Sequence, residues 1–341
     1  MYMEVCFVAP KVSFIIIAYN AAAHLDNILD DVKKQTFNHS LIEVILVDSN
    51  STDNTAEKFY SFKENNDFSC CKIFDNPKKV LPSGWNIALD NAEGEIILRV
   101  DAHSRIPDDF IEKNIKNIEN GEDIVGGQRI TVFDNDSRWK AALAAAESSA
   151  FGSGIAVYRR KFEKQYTVTL AHAAYKKSVF EKVGRYNEAL RRTEDNDMHY
   201  RMRKAGYKFC LCDDIVSYHH VRSNLKTMLK QKYGNGYWIG LTLSVQPKCF
   251  SLYNFVPFLF VLALIGCGLF SIVSVLPLIL LLSLYFTAAI LYGLKSLTYK
   301  SNRHFPYPLF PIFFLMHLFY GIGTLVGILA IPYFKHKNKE V

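Results

Sequence analysis

Residues 96–104 read IILRVDAHS: a short apolar, largely β-branched run, Ile96–Val100, that stops at an aspartate, Asp101. The same grammar occurs twice upstream. Val12–Ala18 (VSFIIIA) stops at Tyr19–Asn20, and Glu43–Val47 (EVILV) stops at Asp48. Runs of this length and composition read as buried strands. A helix-like stretch from His24 to Gln35 separates the first two, and strand–helix–strand alternation predicts an α/β fold on a mostly parallel sheet. Ligands of such sheets lie at the carboxyl ends of the strands, so the residues just past each run form the candidate site.

Three polar clusters stand there. After the second run comes VDSNSTDNT, with Asp48, Ser49, Asn50, Ser51, Thr52, Asp53 and Thr55. These residues can bind a ligand, or they can form an Asx-type turn that caps the next helix. After the third run, Asp101 and His103 are one residue apart, and a turn would let both reach one divalent ion able to neutralise a diphosphate. Capping turns also produce such triplets. The third cluster, in RRTEDNDMHYRMRKAGY, sets Thr193, Glu194, Asp195 and Asp197 ahead of a basic helical stretch. Carboxylates at a helix start favour its dipole, and one of them can also serve as a general base.

Taken in this order, the clusters resemble the family 2 glycosyltransferases of the GT-A fold, from about Lys11 to Gly240. The resemblance implies a Rossmann-like catalytic domain in which the first two loops, with Tyr19, Asn20, Asp48 and Ser49, hold the donor nucleotide and Asp48 contacts the base. VLPSGWNIALDNAEGEIILRVDAHS resembles the stretch leading to the family's DxD signature, which adds Asn86 and Asp101 to the donor site. His103 stands where the second Asp usually does. Imidazole ligates Mn²⁺ well and Mg²⁺ less naturally, so Mn²⁺ is the favoured cofactor. Thr193-Glu194-Asp195 matches the family's acidic motif, implying Asp195 as base with Glu194 beside it. An inverting transfer needs such a carboxylate opposite the departing nucleotide.

Further segments suggest the branch resembling succinoglycan-synthesis glucosyltransferases, which carry C-terminal spans: VGGQRI, with Gln128, FGSGIAVYRR and AAYKKSVFEKVGRYNE. His219 and His220 follow a strand-like DDIVSYHH, where related enzymes place an extra metal or diphosphate contact; a surface pair with no role is the other reading. The resemblance extends acceptor or diphosphate contacts to Gln128, Thr193, Arg222 and Gln231. Processive members have Gln-x-x-Arg-Trp near the last of these, whereas this chain has Gln231-Lys232-Tyr233-Gly234, which favours single transfer.

The rest of the 341-residue chain changes character. From Cys249 to Leu294 there is no Asp, Glu, Lys, Arg or His, and from Phe305 to Phe334 the only one is His317. The first run is about twice the ~20 residues that one helix needs to cross a bilayer, so it reads as two spans, roughly 252–271 and 275–294, with a third at 309–333. The domain boundary is expected near Lys248, with residues 1–248 catalytic and 249–341 in the membrane. Between them, residues 224–243 mix Lys226, Lys230 and Lys232 with Tyr233, Tyr237 and Trp238, in the manner of an interfacial helix or of a linker helix packed on the catalytic domain.

The N-terminal MYMEVCFVAPK has no signal-peptide pattern, which predicts a cytosolic catalytic domain and a multi-pass protein of the inner (plasma) membrane. The net charge of +7 is modest. Much of it flanks the apolar blocks, at Lys295, Lys300 and Arg303, then Lys335, Lys337 and Lys339, so the expected partner is a membrane and not nucleic acid. Three spans would put the last three lysines on the far side, against the usual rule. Seven irregularly spaced cysteines suit reduced thiols better than a disulfide framework or a zinc site.

The expected activity is therefore inverting, metal-dependent transfer of a hexose from a nucleotide-diphosphate sugar, UDP-linked by analogy, to a lipid-linked saccharide in surface polysaccharide assembly. A processive synthase is the second hypothesis, and a non-catalytic nucleotide-sugar-binding membrane scaffold the third. Asp48, Asp101 and Asp195 together argue against the scaffold.

Overall fold

The computed structural model describes residues 9–132, 138–152, 157–159, 162–220, 224–297 and 309–337. The strands are β1 (Val12–Ala18), β2 (Ile42–Asp48), β3 (Cys70–Asp75), β4 (Ile96–Asp101), β5 (Ser104–Arg105), β6 (Ile124–Val132), β7 (Gln165–Thr167), β8 (Ala173–Lys176) and β9 (Phe209–His220). The helices are α1 (Ala22–Lys33), α2 (Thr55–Glu64), α3 (Leu81–Asn91), α4 (Phe110–Glu119), α5 (Arg138–Ser148), α6 (Lys177–Val183), α7 (Glu194–Lys204), α8 (Leu225–Thr242), α9 (Val256–Phe270), α10 (Leu276–Leu297), α11 (Phe310–Leu329) and α12 (Ile331–Lys337). The chain divides into two compact units, Met1–Ile130 with Arg160–His220, and Thr131–Arg159 with Val221–Val341.

The first unit is built on a mixed sheet in the order β3-β2-β1-β4-β8-β6-β9-β5, with β7 on β9. The three apolar runs read from sequence form three of the four strands of its parallel part. β1 lies between β2 and β4 and pairs parallel with both, and β2 pairs parallel with β3. Every residue of β1 and β2 is buried, as expected of strands covered on both faces. From β4 onward the sheet turns antiparallel, through β8 and β6. At the amino ends of the strands, fully buried Glu43 accepts from the Gly94 N–H at 2.9 Å, from Lys72 Nζ at 2.9 Å and from the Ser13 hydroxyl. Chemistry is thus left to the opposite end.

The second unit gathers α5 and α8 with the three apolar helices, all three long and apolar enough to cross a membrane. Lys248, where the boundary is expected, lies between α8 and α9 within this unit. Thr131–Arg159, which follows β6, and α8 group with the apolar helices. The reason is packing: Ala142, Leu143, Ala145 and Ala146 of α5 and Met228 and Leu229 of α8 share one core with Tyr285, Ala289, Ile312, Phe313 and Met316. Buried Lys232 faces buried Glu147 at 3.4 Å in the same unit. Beside them, α8 and α11 run parallel at backbone contact. A Cβ on Gly236 would lie 2.0 Å from the Tyr320 carbonyl oxygen, and one on Gly327 would lie 2.1 Å from that of Tyr237. Among the described residues Cys70, Cys71, Cys210, Cys212, Cys249 and Cys267 form no disulfide.

Candidate active site

The strand register sets the frame. Ala18 of β1 is level with Asp48 of β2, and Ile17 with Asp101 of β4, so the two aspartates end the strands on either side of β1. Asn20 and Asn50 take positive φ, 48° and 58°, where asparagine is among the few residues tolerated. That turn brings the first two loops together. The Asn20 N–H donates to Ser51 Oγ at 2.9 Å, the Thr52 N–H to Asn20 Oδ1 at 2.8 Å and the Ala21 N–H to Thr55 Oγ1 at 2.9 Å.

Within this double loop Asp48 is buried, and its carboxylate accepts from the Ser51 N–H at 3.1 Å and from Ser51 Oγ at 2.5 Å. The Asx-turn reading is thereby realised in the loop's own hydrogen bonds. Ser49 is also buried, and its hydroxyl accepts from Asn76 Nδ2 at 3.0 Å. Tyr19 is 55% exposed and offers a free aromatic face.

At the end of β4, residues two apart share a face, so Arg99 accompanies Asp101. The Arg99 guanidinium is buried, lies 4.5 Å over the Trp85 ring and makes a two-pronged pair with the Asp195 carboxylate, Nη2 to Oδ2 at 3.0 Å and Nη1 to Oδ1. Burial opposes its charge, yet the pair with Asp195 holds Arg99 well above its ordinary range. This fork-to-fork contact fixes the first turn of α7 against β4.

Glu194, the neighbour of Asp195, is buried, and its Oε2 has no hydrogen-bond partner among the described residues. Burial, then the Asp195 charge, push it up to about 8. The folded state thus keeps the Glu194 proton to higher pH than the unfolded chain, which loses it near pH 4.5, so stability falls as pH rises from there toward about 8. In Glu194→Gln that slope should vanish from thermal melts taken across pH 5–9, and turnover at pH 7 should stay within about threefold of the parent. A variant with the parent's slope would mean that Glu194 is ionised throughout.

Asp101 meets His172, whose Nε2 is 3.3 Å from its Oδ2 and 3.1 Å from Ser104 Oγ, while Nδ1 lies 2.9 Å from Ser217 Oγ. Burial pushes Asp101 up, but the His172 hydrogen bond and the charges of His172, His103 and Arg99 outweigh it and hold the carboxyl well below the usual range. The pairing of Ser104 on β5 with His219 on β9 brings the His103 and His219 rings edge to face, centroids 5.2 Å apart. Among the described residues no three His, Cys, Asp or Glu side chains are grouped so that they could hold a metal ion by themselves. An ionised carboxylate beside imidazoles fits a divalent ion that takes its other ligands from substrate oxygens.

The remaining candidates scatter. Asn86 ties α3 to a following loop: its Nδ2 donates to the Tyr186 carbonyl and to Glu188 Oε1, both at 3.0 Å, and its Oδ1 accepts from the Tyr186 N–H at 2.8 Å. Thr193 is buried just before α7, and Gln128 is half-buried on β6. Gln231 is half-buried on α8, in the second unit. Arg222 and the His220 side chain lie outside the described residues. Arg99 and His172 went unread in the sequence, although an arginine in an otherwise apolar strand, two residues before an aspartate, is a signal for a buried ion pair.

The sequence profile described as "Glycosyl transferase family 2" matches residues 13–184, half of the chain and all of the parallel part of the sheet. The chain belongs to glycosyl transferase family 2. This glycosyltransferase is 27% identical over 220 residues to the succinoglycan biosynthesis protein ExoA of Rhizobium meliloti (strain 1021), over 64% of this chain and 65% of that protein, so it spans about two-thirds of that relative. It is 24% identical over 323 residues, 93% of this chain and 97% of the other, to the dolichyl N-acetyl-alpha-D-glucosaminyl phosphate 3-beta-D-2,3-diacetamido-2,3-dideoxy-beta-D-glucuronosyltransferase of Methanococcus voltae. Among solved structures it resembles the mannosyltransferase PcManGT from Pyrobaculum calidifontis, determined with GDP-Man and Mn2+, at a TM-score of 0.57 and 18% identity over 95% of this chain and 88% of that one. At that identity the likeness bears on the fold alone, and the GT-A expectation holds.

Proposed function

We propose that this glycosyltransferase moves a hexose, with inversion, from a nucleotide-diphosphate sugar, UDP-linked by preference, to a lipid-linked saccharide at the cytosolic face of a membrane, in the assembly of a surface polysaccharide or related glycan. The observation that carries the reading is the Arg99–Asp195 fork, two residues along β4 from Asp101. It puts a fixed, part-exposed carboxylate near the strand end that would meet the diphosphate. A carboxylate has about four lone-pair positions and the fork occupies two, so Asp195 keeps acceptor capacity for the proton of an incoming hydroxyl.

Tyr19 and Asn20 line the donor's nucleoside, and Asp48, held by Ser51, receives the base. Asp101, with His103 and His219 nearby, would contribute ligands to a divalent cation, Mn²⁺ over Mg²⁺, which would supply charge neutralisation for the departing diphosphate. Thr193 and Gln128, both in the first unit, are assigned acceptor or diphosphate contacts. A relative named for a dolichyl-linked sugar phosphate and another named for succinoglycan biosynthesis support a lipid-linked acceptor and a polysaccharide product. The apolar helices support a membrane-bound one.

Detergent-purified protein given Mn²⁺ and a panel of UDP- and GDP-sugars should turn over at least one donor, read by mass spectrometry. Asp101→Ala should weaken Mn²⁺-dependent donor binding by about 10- to 100-fold in titration calorimetry. Undiminished binding would remove Asp101 from the donor site, and no turnover of any donor with a lipid extract present would sink the reading as a whole.

A further inference from the structure

Length and composition make α11 a third span, but its neighbours argue otherwise. α9 and α10 form a hairpin, with Phe260 stacked on Tyr285 at 4.4 Å. α11 meets one end of it. Phe314 lies against Phe286 at 5.6 Å, the Tyr285 hydroxyl is 2.8 Å from His317 Nδ1, and a Cβ on Gly321 would stand 2.3 Å from the Pro257 carbonyl oxygen. The buried hairpin residues, Val261, Tyr285, Ala289 and Gly293, all sit at that end, and none between 262 and 284 is buried. A third helix standing alongside would cover part of that stretch.

α8 supplies the second argument. It lies parallel to α11 along its length, from Met228 and Leu229 in the core shared with Leu309 and Ile312 to Gly240 against the Thr324 carbonyl. If α11 stood across the bilayer, α8 would stand there too. Lys226 and Lys230 would lie on the first two turns of a spanning helix, the buried Lys232–Glu147 pair would be carried into the bilayer, and exposed Lys248 would emerge on the far side. The apolarity of α11 has another cause. In its most apolar stretch 39% of residues are buried, against 6% for α9 and 17% for α10, and a helix packed on several sides is apolar all round. Its exposed large apolar residues, Phe319, Ile322, Val326 and Leu329, recur at helical spacing as one stripe. α8 exposes Lys226 and Lys230, one turn apart. Joined, the two helices have the composition of an interfacial element.

We propose that α9 and α10 alone cross the bilayer, and that α8 and α11 lie together in the interface on the catalytic unit's side. The Phe319–Leu329 stripe rests on acyl chains, and Lys226 and Lys230 meet anionic headgroups. Two crossings return the chain to its starting side, so Lys295 and Lys335 share the face of the catalytic unit, as flanking cations usually do. The interfacial reading of residues 224–243 is thereby extended to the last apolar block. The proposal concerns topology alone and stands whichever sugar is moved.

Sealed membrane vesicles sorted by whether added protease digests the catalytic unit would test it, with a membrane-impermeant maleimide applied to full-length Lys335→Cys and Ser274→Cys and the parent chain's labelling subtracted. Lys335→Cys should label at least tenfold more in vesicles with the catalytic unit outward, and Ser274→Cys in the opposite set. Labelling of both from the far side would make α11 a span, and labelling of both from the catalytic side would deny any crossing; either overturns the proposal. Green fluorescent protein fused after Val341 gives the same answer without a substitution: fluorescence in cells supports it, and a dark, far-side fusion refutes it.

Discussion

Asp195→Asn should lower kcat by about 10²- to 10⁴-fold while donor affinity stays within about threefold, because the amide keeps the shape of the carboxylate but cannot take the acceptor's proton. The same change leaves Arg99 buried without its counter-charge. Breaking a fully buried pair from one side costs about 3–5 kcal/mol, and with Asp195 part-exposed the fall in stability should be smaller, yet it could still imitate a catalytic loss. The double variant Arg99→Met/Asp195→Leu separates the two, since replacing both members of a buried pair with apolar groups is often close to neutral. It should melt within a few degrees of the parent and stay inactive. Recovery of activity together with stability would show that the fork is structural and that the base lies elsewhere.

Such a test was not visible in the sequence, and the reason is physical. Asp48 and Asp101 were legible because each ends a run of buried β-branched residues, a local pattern in which the break itself is the signal. The α/β class followed from three such runs, and the apolar helices from composition alone. Arg99, by contrast, sits inside one of those runs, and its partner is 96 residues away. His172 becomes meaningful only when the turn after β4 is folded beside the strand that follows it. Of the antiparallel part of the sheet only the DDIVSYHH end of β9 was legible as a strand; β5, β7 and β8 are two to four residues long, too short to show a period. The second unit hid for a related reason. Composition treats each apolar helix as alone in lipid, whereas α5 and α8 are fitted to these helices by small residues whose partners are remote in sequence.

The sharpest expression of that fit is Gly327, and Gly327→Leu should be among the most damaging substitutions in the second unit. A Cβ there would meet main-chain atoms on α8, the Tyr237 oxygen at 2.1 Å and carbon at 2.9 Å, with the Gly240 Cα at 3.1 Å. Side chains can rotate away from an added group, but two helix backbones can only separate. Their separation would strip contacts along the whole seam, where Gly236, Gly240 and Gly323 each approach the opposite backbone as closely. Overpacking in a core commonly costs 1–3 kcal/mol, and this contact belongs at or above the upper end, about 3 kcal/mol or a fall of roughly 6–12 °C in the melting temperature of the detergent-solubilised protein. Gly266→Leu and Gly268→Leu on α9 are the matched controls. Nothing lies within 4 Å of a Cβ at either position, so the same added bulk should be nearly silent there. If Gly327→Leu melted with those two controls, α8 and α11 would not be in backbone contact, and α8 would no longer hold α11 in the interface.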